Sequence, residues 1–479
     1  MPAKIYSLII FLTLFWIYCI YCGFKNHKKT TTPVDFFIFG RYMPGWAHSI
    51  VATGLIFSSW LFFVQPSLTL LNGFPFSTTS LCVIAISLMG ILFLKRQWML
   101  SKKYGFVTPA EMMATYFKSD IIRLLVAIIA VGFAIPFIAM QLSFAGILIS
   151  IASDDIIGSG SGSILLGSVV VVYLSLSGIR STIFIDTFQF LLTIFGIIAL
   201  GFIAYDLVGG WDLLNESSSR ISGLKQNLFN IKESYASYLS VPGTIKVVEI
   251  LDSKITYGGI WTSSMILTFV FGFCGIVMSP SFSMLTFSSR EAKSFGSQQV
   301  WLISFFIGFV LIFFITPIGI GSIFLGANNI INESGNNISN ILPRNIVPSE
   351  IETLVPHLIN VIGNYSPLFF GLLLVCGIAS IQSTSYLFLS SSAILTRDIL
   401  KRFFIRNMTN QEQIFSSRIL LLGIFILSMI LSIQSANIIL GLGSFALSIA
   451  CQMFIPLIAI CYFSWFTKQG VALGIIVGI

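Results

Sequence analysis

Asp186 is the only formally charged residue inside any of the long apolar runs of this 479-residue chain, in the stretch Ser181-Thr-Ile-Phe-Ile-Asp-Thr-Phe-Gln-Phe-Leu-Leu-Thr193. A carboxylate at membrane depth costs at least about 2.5–3.5 kcal/mol on insertion scales, so it persists where it faces a partner, a cavity or an ion path. A second polar group sits in Ala379-Ser-Ile-Gln-Ser-Thr-Ser-Tyr386. There Ser380, Ser383 and Thr384 stand at i, i+3 and i+4, on one helical face. Hydroxyls so grouped are hard oxygen donors suited to a dehydrated alkali cation, and unwound backbone supplies further carbonyls. The same hydroxyls also let helices pack closely or bond back to their own carbonyls, and residue types alone leave both uses open. Two interrupted spans complete the set: Gly54-Leu-Ile-Phe-Ser-Ser-Trp60 with Gln65-Pro66, and Gly272-Phe-Cys-Gly275 with Ser279-Pro280. Such interruptions mark binding sites in inverted-repeat transporters, and they also occur as plain kinks.

Other chemistry is sparse. His27, His48 and His357 are too dispersed to build a metal centre or a proton relay. The seven cysteines read as small hydrophobes; the single C-x-x-C spacing, Cys19-Ile-Tyr-Cys22, lies inside the first apolar run with no partnering histidine cluster. With no nucleophile–base–acid set and no phosphate loop, an enzyme is not expected. A channel is disfavoured because no selectivity-filter repeat or ring of like charges stands out. Asn332-Glu-Ser334 and Asn337-Ile-Ser339 are glycan acceptors only in a secretory-pathway host.

The elements that must position these residues follow from composition. At 56% hydrophobic and 9% charged, the chain is far from a soluble domain and is expected to be an all-α polytopic membrane protein with the lipid bilayer as its medium. Since about 20 apolar residues cross the hydrocarbon core, spans are expected near 5–22, 46–71, 77–94, 122–151, 162–178, 182–205, 257–280, 300–326, 366–395, 416–433 and 437–464. The first lacks a small-residue cleavage site, and its charges follow the apolar run, so it is kept as a helix with its N-terminus outside. In that orientation 19 of the 26 Lys/Arg face the cytoplasm, although the two longest loops are on the other side. The net charge of +8 is therefore a topology signal and no nucleic-acid partner is expected. The last stretch, 470–479, is about 15 Å long as a helix and does not span alone; a half-inserted tail or an incomplete chain would both give it.

The two interrupted spans stand five spans apart, as the first helices of two five-helix repeats would, covering 46–205 and 257–464. An odd number of helices per repeat inverts the second copy. Taken together these residues resemble the sodium/solute symporter family, which includes sodium-coupled proline, pantothenate, sugar and sialic acid carriers. Ser177-Gly-Ile-Arg-Ser-Thr-Ile-Phe-Ile-Asp-Thr-Phe-Gln189 is similar to the family's glycine turn and acidic fifth core helix, and Ala379–Thr384 with Thr396-Arg-Asp398 to its eighth, where a "T-x-D" ends the helix. Phe287-Ser-Ser-Arg-Glu-Ala-Lys-Ser294 resembles the loop after the sixth core helix, and Thr467–Gly474 the start of a further one.

The resemblance implies one membrane domain over 1–479 with a LeuT-like five-plus-five inverted repeat, an extra N-terminal helix at 5–22 and a partial helix at 470–479. It implies a sodium-coupled symporter in the cell membrane that imports a small organic solute, with no obligate protein partner indicated. Sodium would be held by the carbonyls of Gly54 and Phe57 and by Ser380, Ser383 and Thr384, with Asp186 nearby. Solute contacts would come from Ser58, Ser59, Trp60, Gln65, Cys274 and Ser279, on position alone; Trp60 also reads as an ordinary packing aromatic. The acidic residue that proline carriers have near the first break is replaced by Ile56, and their aromatic residues on the sixth core helix by Gly272 and Ile276, so a proline substrate is not supported. One residue fewer separates Thr384 from Asp398 than in relatives. Two other readings stay open: proton coupling through Asp186, and a transporter-like sensor domain of a membrane signalling protein.

Overall fold

The structure, a computed structural model, describes residues 2–28, 30–72, 79–212, 249–251, 254–256, 263–326, 351–382, 385–435 and 438–478. In hydrocarbon every backbone N–H and C=O must be bonded within its own segment, so the apolar runs fold as long helices. Helix α1 (Pro2–His27) precedes the short α2 (Pro33–Ile38). The second span is α3 (Gly45–Ser59), a wide turn over Trp60–Val64, and α4 (Gln65–Asn72). Helices α5 (Thr79–Tyr104), α6 (Pro109–Phe117), α7 (Asp120–Ala152), α8 (Ser159–Ser177) and α9 (Ile179–Val208) follow. A small antiparallel hairpin, β1 (Glu249–Leu251) and β2 (Lys254–Thr256), sets Ile250 opposite Ile255. The seventh span is α10 (Ser263–Met278) and α11 (Pro280–Ser288). Then come α12 (Lys293–Gly321), α13 (Leu354–Tyr365), α14 (Pro367–Gln382), α15 (Ser385–Ile394), α16 (Asn410–Gln434), α17 (Ile439–Cys451), α18 (Phe454–Cys461) and α19 (Lys468–Gly478).

Among the described residues nine helices are long and apolar enough to cross a membrane, and two bent pairs raise this to eleven, the number expected from the sequence. Boundaries differ where charge, not apolarity, extends a helix. The third span runs past its apolar stretch to Tyr104 because Lys95, Arg96, Lys102 and Lys103 are good helix formers whose heads reach water. The ninth continues from α15 through Leu395–Phe404, so Asp398 sits inside the helix and does not end it. The eleventh is broken between Cys451 and Phe454.

The Pro367–Phe404 span is the axis of the bundle, with 94% of its most apolar window buried against 33% for α1 and α16. Helix α14 packs on α1, α7, α9 and α3, and α15 on α16, α7 and α9. Outward-facing Ile9, Ile10, Leu14 and Ile17 on α1 are more than half exposed, as suits lipid contact. The short elements are capped from the sequence: Thr32 and Thr108 accept the amides of Asp35 and Glu111, each followed by proline at the first helical position, and Thr409 with Glu412 forms a capping box. At one end of the bundle the chain before α3 meets the chain after α11. Met43 N–H donates to Ser288 O at 3.1 Å and Arg290 N–H to Met43 O at 2.9 Å.

Gly178 makes the turn from α8 to α9 at φ 56° and ψ −139°, where a Cβ would lie 2.3 Å from Phe36 O. Gly178→Ala is therefore expected to lose about 2–3 kcal/mol of stability, read as a fall in thermal midpoint. Gly160→Ala, where nothing lies within 4 Å of the added carbon, should be neutral or mildly stabilising. Equal falls for the two variants would refute a specific role for the turn.

At the far end Asp154 Oδ1 accepts from Lys4 Nζ at 2.7 Å and from Asn360 Nδ2 at 3.2 Å, tying α1 to the α7–α8 turn and to α13. Partial burial of Asp154 pushes its carboxyl up, but the Lys4 ammonium and the Asn360 amide outweigh this and hold it below the usual range. A depressed carboxyl stabilises fully above its unfolded value of about 3.9, and that contribution is lost as pH falls through the folded value. Acidification below about pH 4 should thus lower the melting temperature of the wild type more than that of Asp154→Asn, by an increment of under about 1 kcal/mol because the pair is partly exposed. Parallel pH profiles would remove the tie from the account.

Candidate cation and solute site

Asp186 is 1% exposed on α9, directed into the bundle. Its Oδ1 accepts from Ser385 Oγ, the first residue of α15, at 3.1 Å. Its Oδ2 is buried with no hydrogen-bond partner among the described residues. Around it stand other polar groups in the same condition. Gln189, one turn along α9, donates Nε2 to Gln382 Oε1 at 3.3 Å, while Gln189 Oε1 and Gln382 Nε2 are buried and unpartnered. The Tyr173 hydroxyl on α8 faces Asp186, Ser385 and Gln189 without reaching hydrogen-bond geometry. Beside Gln382 and Ser385 lies a small cavity of about 20 Å³, walled by α7 and α8, which is room for one water-sized occupant. Buried polar atoms are normally satisfied, so several unsatisfied oxygens around one anion form a set of donors suited to a cation.

The sequence-predicted residues are distributed around this group. Gly54 on α3 faces α9, where a Cβ would lie 3.6 Å from Phe190, one turn beyond Asp186. Ser380 is fully buried on α14, donating to Gly377 O at 2.7 Å, and α14 packs against both α3 and α9. Gly54, Asp186 and Ser380 thus lie on three mutually packed helices. Close approach is secured by Gly196, whose absent Cβ would lie 2.5 Å from Cys376 and 3.0 Å from Phe62. Phe57 is 7% exposed at the bend, where Gly45–Phe57 and Trp60–Leu70 diverge by 47°. Ser383 and Thr384 lie outside the described residues.

The second break is at Ser279, where Leu267–Met278 and Pro280–Ser288 diverge by 44°. Ser279 Oγ accepts from Phe282 N–H at 3.2 Å, so this hydroxyl caps α11. Between the two breaks Trp60 meets Phe273 edge-on at 5.2 Å, and a Cβ on Gly443 of α17 would lie 3.4 Å from the indole ring. Ser59 Oγ and Trp60 Nε1 are buried without partners among the described residues. Gln65 at the start of α4 and Cys274 on α10 are buried, and Ser58 lies in the last turn of α3 before Ser59. The structure therefore holds two neighbourhoods, an anionic one at Asp186 and an aromatic one at Trp60, both beside the bend of α3.

Tyr173, Gln189, Gln382 and Ser385 were not singled out from sequence. Gln189 stands at i+3 from Asp186 on the same face, and Ser385 adjoins the hydroxyl run, so both carried a signal; Tyr173, in an apolar run, carried none. A further buried carboxylate, Asp398, is fully buried where Arg123 Nη1 donates to it at 2.9 Å and Thr108 Oγ1 at 2.6 Å.

Residues 36–478 match the model of the sodium:solute symporter family. The chain belongs to that family. A stretch of 164 residues is 30% identical to the high-affinity proline transporter PutP of Bacillus subtilis (strain 168), covering 34% of each protein, so the match spans about a third of that relative's length. Among solved structures, the substrate-bound outward-open state of a Na+-coupled sialic acid symporter superposes with a TM-score of 0.71 at 16% identity, over 98% of this chain and 96% of that one. That likeness is one of fold: this symporter-family chain has the LeuT-like, nearly all-helical arrangement expected from its interrupted spans, the small β1–β2 hairpin aside. Helix α1 precedes the part that matches the family model.

Proposed function

We propose that this chain is a sodium-coupled symporter that imports a small organic solute by alternating access. The observation that carries the reading is the buried Asp186 carboxylate with one oxygen unpartnered beside the start of α15. An uncompensated charge there would be expensive, and a univalent cation offsets it. Sodium is held by the carbonyls of Gly54 and Phe57 at the bend of α3, by the hydroxyls of Ser383 and Thr384 and by a carbonyl or hydroxyl oxygen of Ser380, with Asp186 balancing the charge. The solute lies between the two bent spans, against Ser58, Ser59, Trp60 and Gln65 on one side and Cys274 and Ser279 on the other. The unpartnered Ser59 hydroxyl and Trp60 indole N–H support this, as polar groups for a solute to satisfy.

Cation binding joins α3 to α14 and so completes the solute pocket. Rocking of the repeats 46–205 and 257–464 about the fixed site then exposes it to either face in turn. The 5–22 helix and the partial helix at 470–479 stand outside those repeats. The N-terminus is outside, and the Lys/Arg-rich end faces the cytoplasm, in keeping with the positive-inside rule. A cation moving down 100 mV supplies about 2.3 kcal/mol, enough to concentrate a neutral solute roughly fifty-fold.

The test is uptake into proteoliposomes with sodium replaced by choline at constant pH, after a thermal-shift screen of amino acids, sugars, carboxylates and vitamins has found a stabilising solute. Loss of uptake in choline is the expected result. Uptake that survives choline but follows a pH gradient would transfer the coupling role of Asp186 to a proton. Solute-dependent stabilisation without any accumulation would favour a sensor.

A further inference from the structure

The Lys/Arg-rich end of the bundle contains a cleft of about 620 Å³ between the start of α7 and the helical extension of α15. Arg123, Arg397, Lys401, Arg402 and Arg406 line it. Three of these cations are paired: Arg123 with Asp398 at 2.9 Å, Arg397 with Glu111 at 2.8 Å, and Arg402 with Asp120 at 3.1 Å. Lys401 and Arg406 make no ion pair within 4 Å among the described residues, and the carboxylates that also line the cleft, Glu111 and Asp120, are already paired. The cleft thus keeps two uncompensated positive charges in a concave wall of guanidinium groups, whose planar forks suit phosphate oxygens.

An apolar run interrupts the cations. Phe403, which lines the cleft, and the next two residues, Phe404 and Ile405, between Arg402 and Arg406, are 43%, 73% and 52% exposed. Helix α7 has 33 residues, about 50 Å at helical rise against a hydrocarbon core of about 30 Å. Its charged first turn, with Asp120 and Arg123, belongs at headgroup level rather than in the core, and the exposed run from Phe403 to Ile405 can meet acyl chains. A soluble phosphate would account for the cations but leave three exposed apolar side chains unexplained.

We infer that this cleft binds the phosphate of an anionic phospholipid headgroup, with Lys401 and Arg406 as the free charges that take it. The site is separate from the Asp186 group and does not depend on which solute is carried. Basic pockets at the ends of membrane helices bind such headgroups, each cation adding to the affinity.

The test is native mass spectrometry of the full chain in a neutral detergent, titrated with dioleoyl phosphatidylglycerol, dioleoyl phosphatidylcholine or inorganic phosphate. The expected result is selective retention of phosphatidylglycerol, weakened about tenfold or more in K401Q/R406Q. A control with equal charge loss outside the cleft, K25Q/K468Q, should be unchanged. Equal weakening of both double variants would overturn the site in favour of general surface charge. Displacement of phosphatidylglycerol by millimolar inorganic phosphate would make it a soluble-anion site, and no preference over phosphatidylcholine would remove it. If K401Q/R406Q does not elute as a folded species, the single variants K401Q and R406Q must each weaken retention about threefold for the inference to stand.

Discussion

Asp398→Ala is expected to lower the stability of the bundle by about 3–5 kcal/mol, the range for breaking one side of a buried ion pair. The carboxylate is fully buried and holds both the Arg123 guanidinium and the Thr108 hydroxyl, on α7 and immediately before α6. Removing it leaves Arg123, with its side chain 13% exposed, only the longer 3.7 Å contact to the half-exposed Asp120. The measurement is the thermal midpoint of detergent-purified protein, with a double-mutant cycle against Arg123→Met. If the pair is the cause, the double variant should be less damaged than the sum of the singles. Strict additivity, or a loss below about 1 kcal/mol, would mean that the pair contributes little and that the helix ends are held by apolar packing.

The second large effect is functional. Asp186→Asn keeps shape and the capacity to accept from Ser385 while removing the charge, and it is expected to raise the sodium concentration for half-maximal uptake tenfold or more. Two unit charges about 4 Å apart interact by about 4 kcal/mol at an effective dielectric of 20, and 1.4 kcal/mol is a decade in affinity. Ser385→Ala, which removes one neutral donor at 3.1 Å, should shift the same midpoint less, since a neutral hydrogen bond is worth about 1 kcal/mol. An unchanged sodium dependence in Asp186→Asn, with protein abundance intact, would strip the carboxylate of its ionic role. Ser383→Ala with Thr384→Val separates cation binding from packing in the same assay, because a loss of folded protein equal to the loss of uptake identifies the packing use of those hydroxyls.

The spans were legible because about twenty apolar residues are a physical requirement and few other structures satisfy it. Both bends were legible too, since Gly54 to Pro66 and Gly272 to Pro280 put helix-breaking residues in mid-span, where a bilayer permits them only against protein or a cavity. Asp186 announced itself by charge. What could not be read was the company it keeps: Tyr173 stands on the preceding helix across the Gly178 turn and Gln382 almost two hundred residues on, and no spacing rule links them to residue 186. Asp398 was read as a helix end because Thr396-Arg-Asp398 resembles the family's T-x-D at that place. Its partner Arg123, 275 positions away, lets the helix continue. The cleft beyond it was hidden for the same reason, since a Lys/Arg-rich loop reads as sidedness until the fold curves it into a concave wall.

The two backbone bonds at Met43 fasten the stretches that lead into α3 and out of α11 to each other at one end of the molecule. Their amide hydrogens become a built-in gauge of that doorway: slow deuterium uptake at Met43 and Arg290 reports it shut, and faster uptake under conditions that draw the solute through reports each opening, with no label attached to the protein.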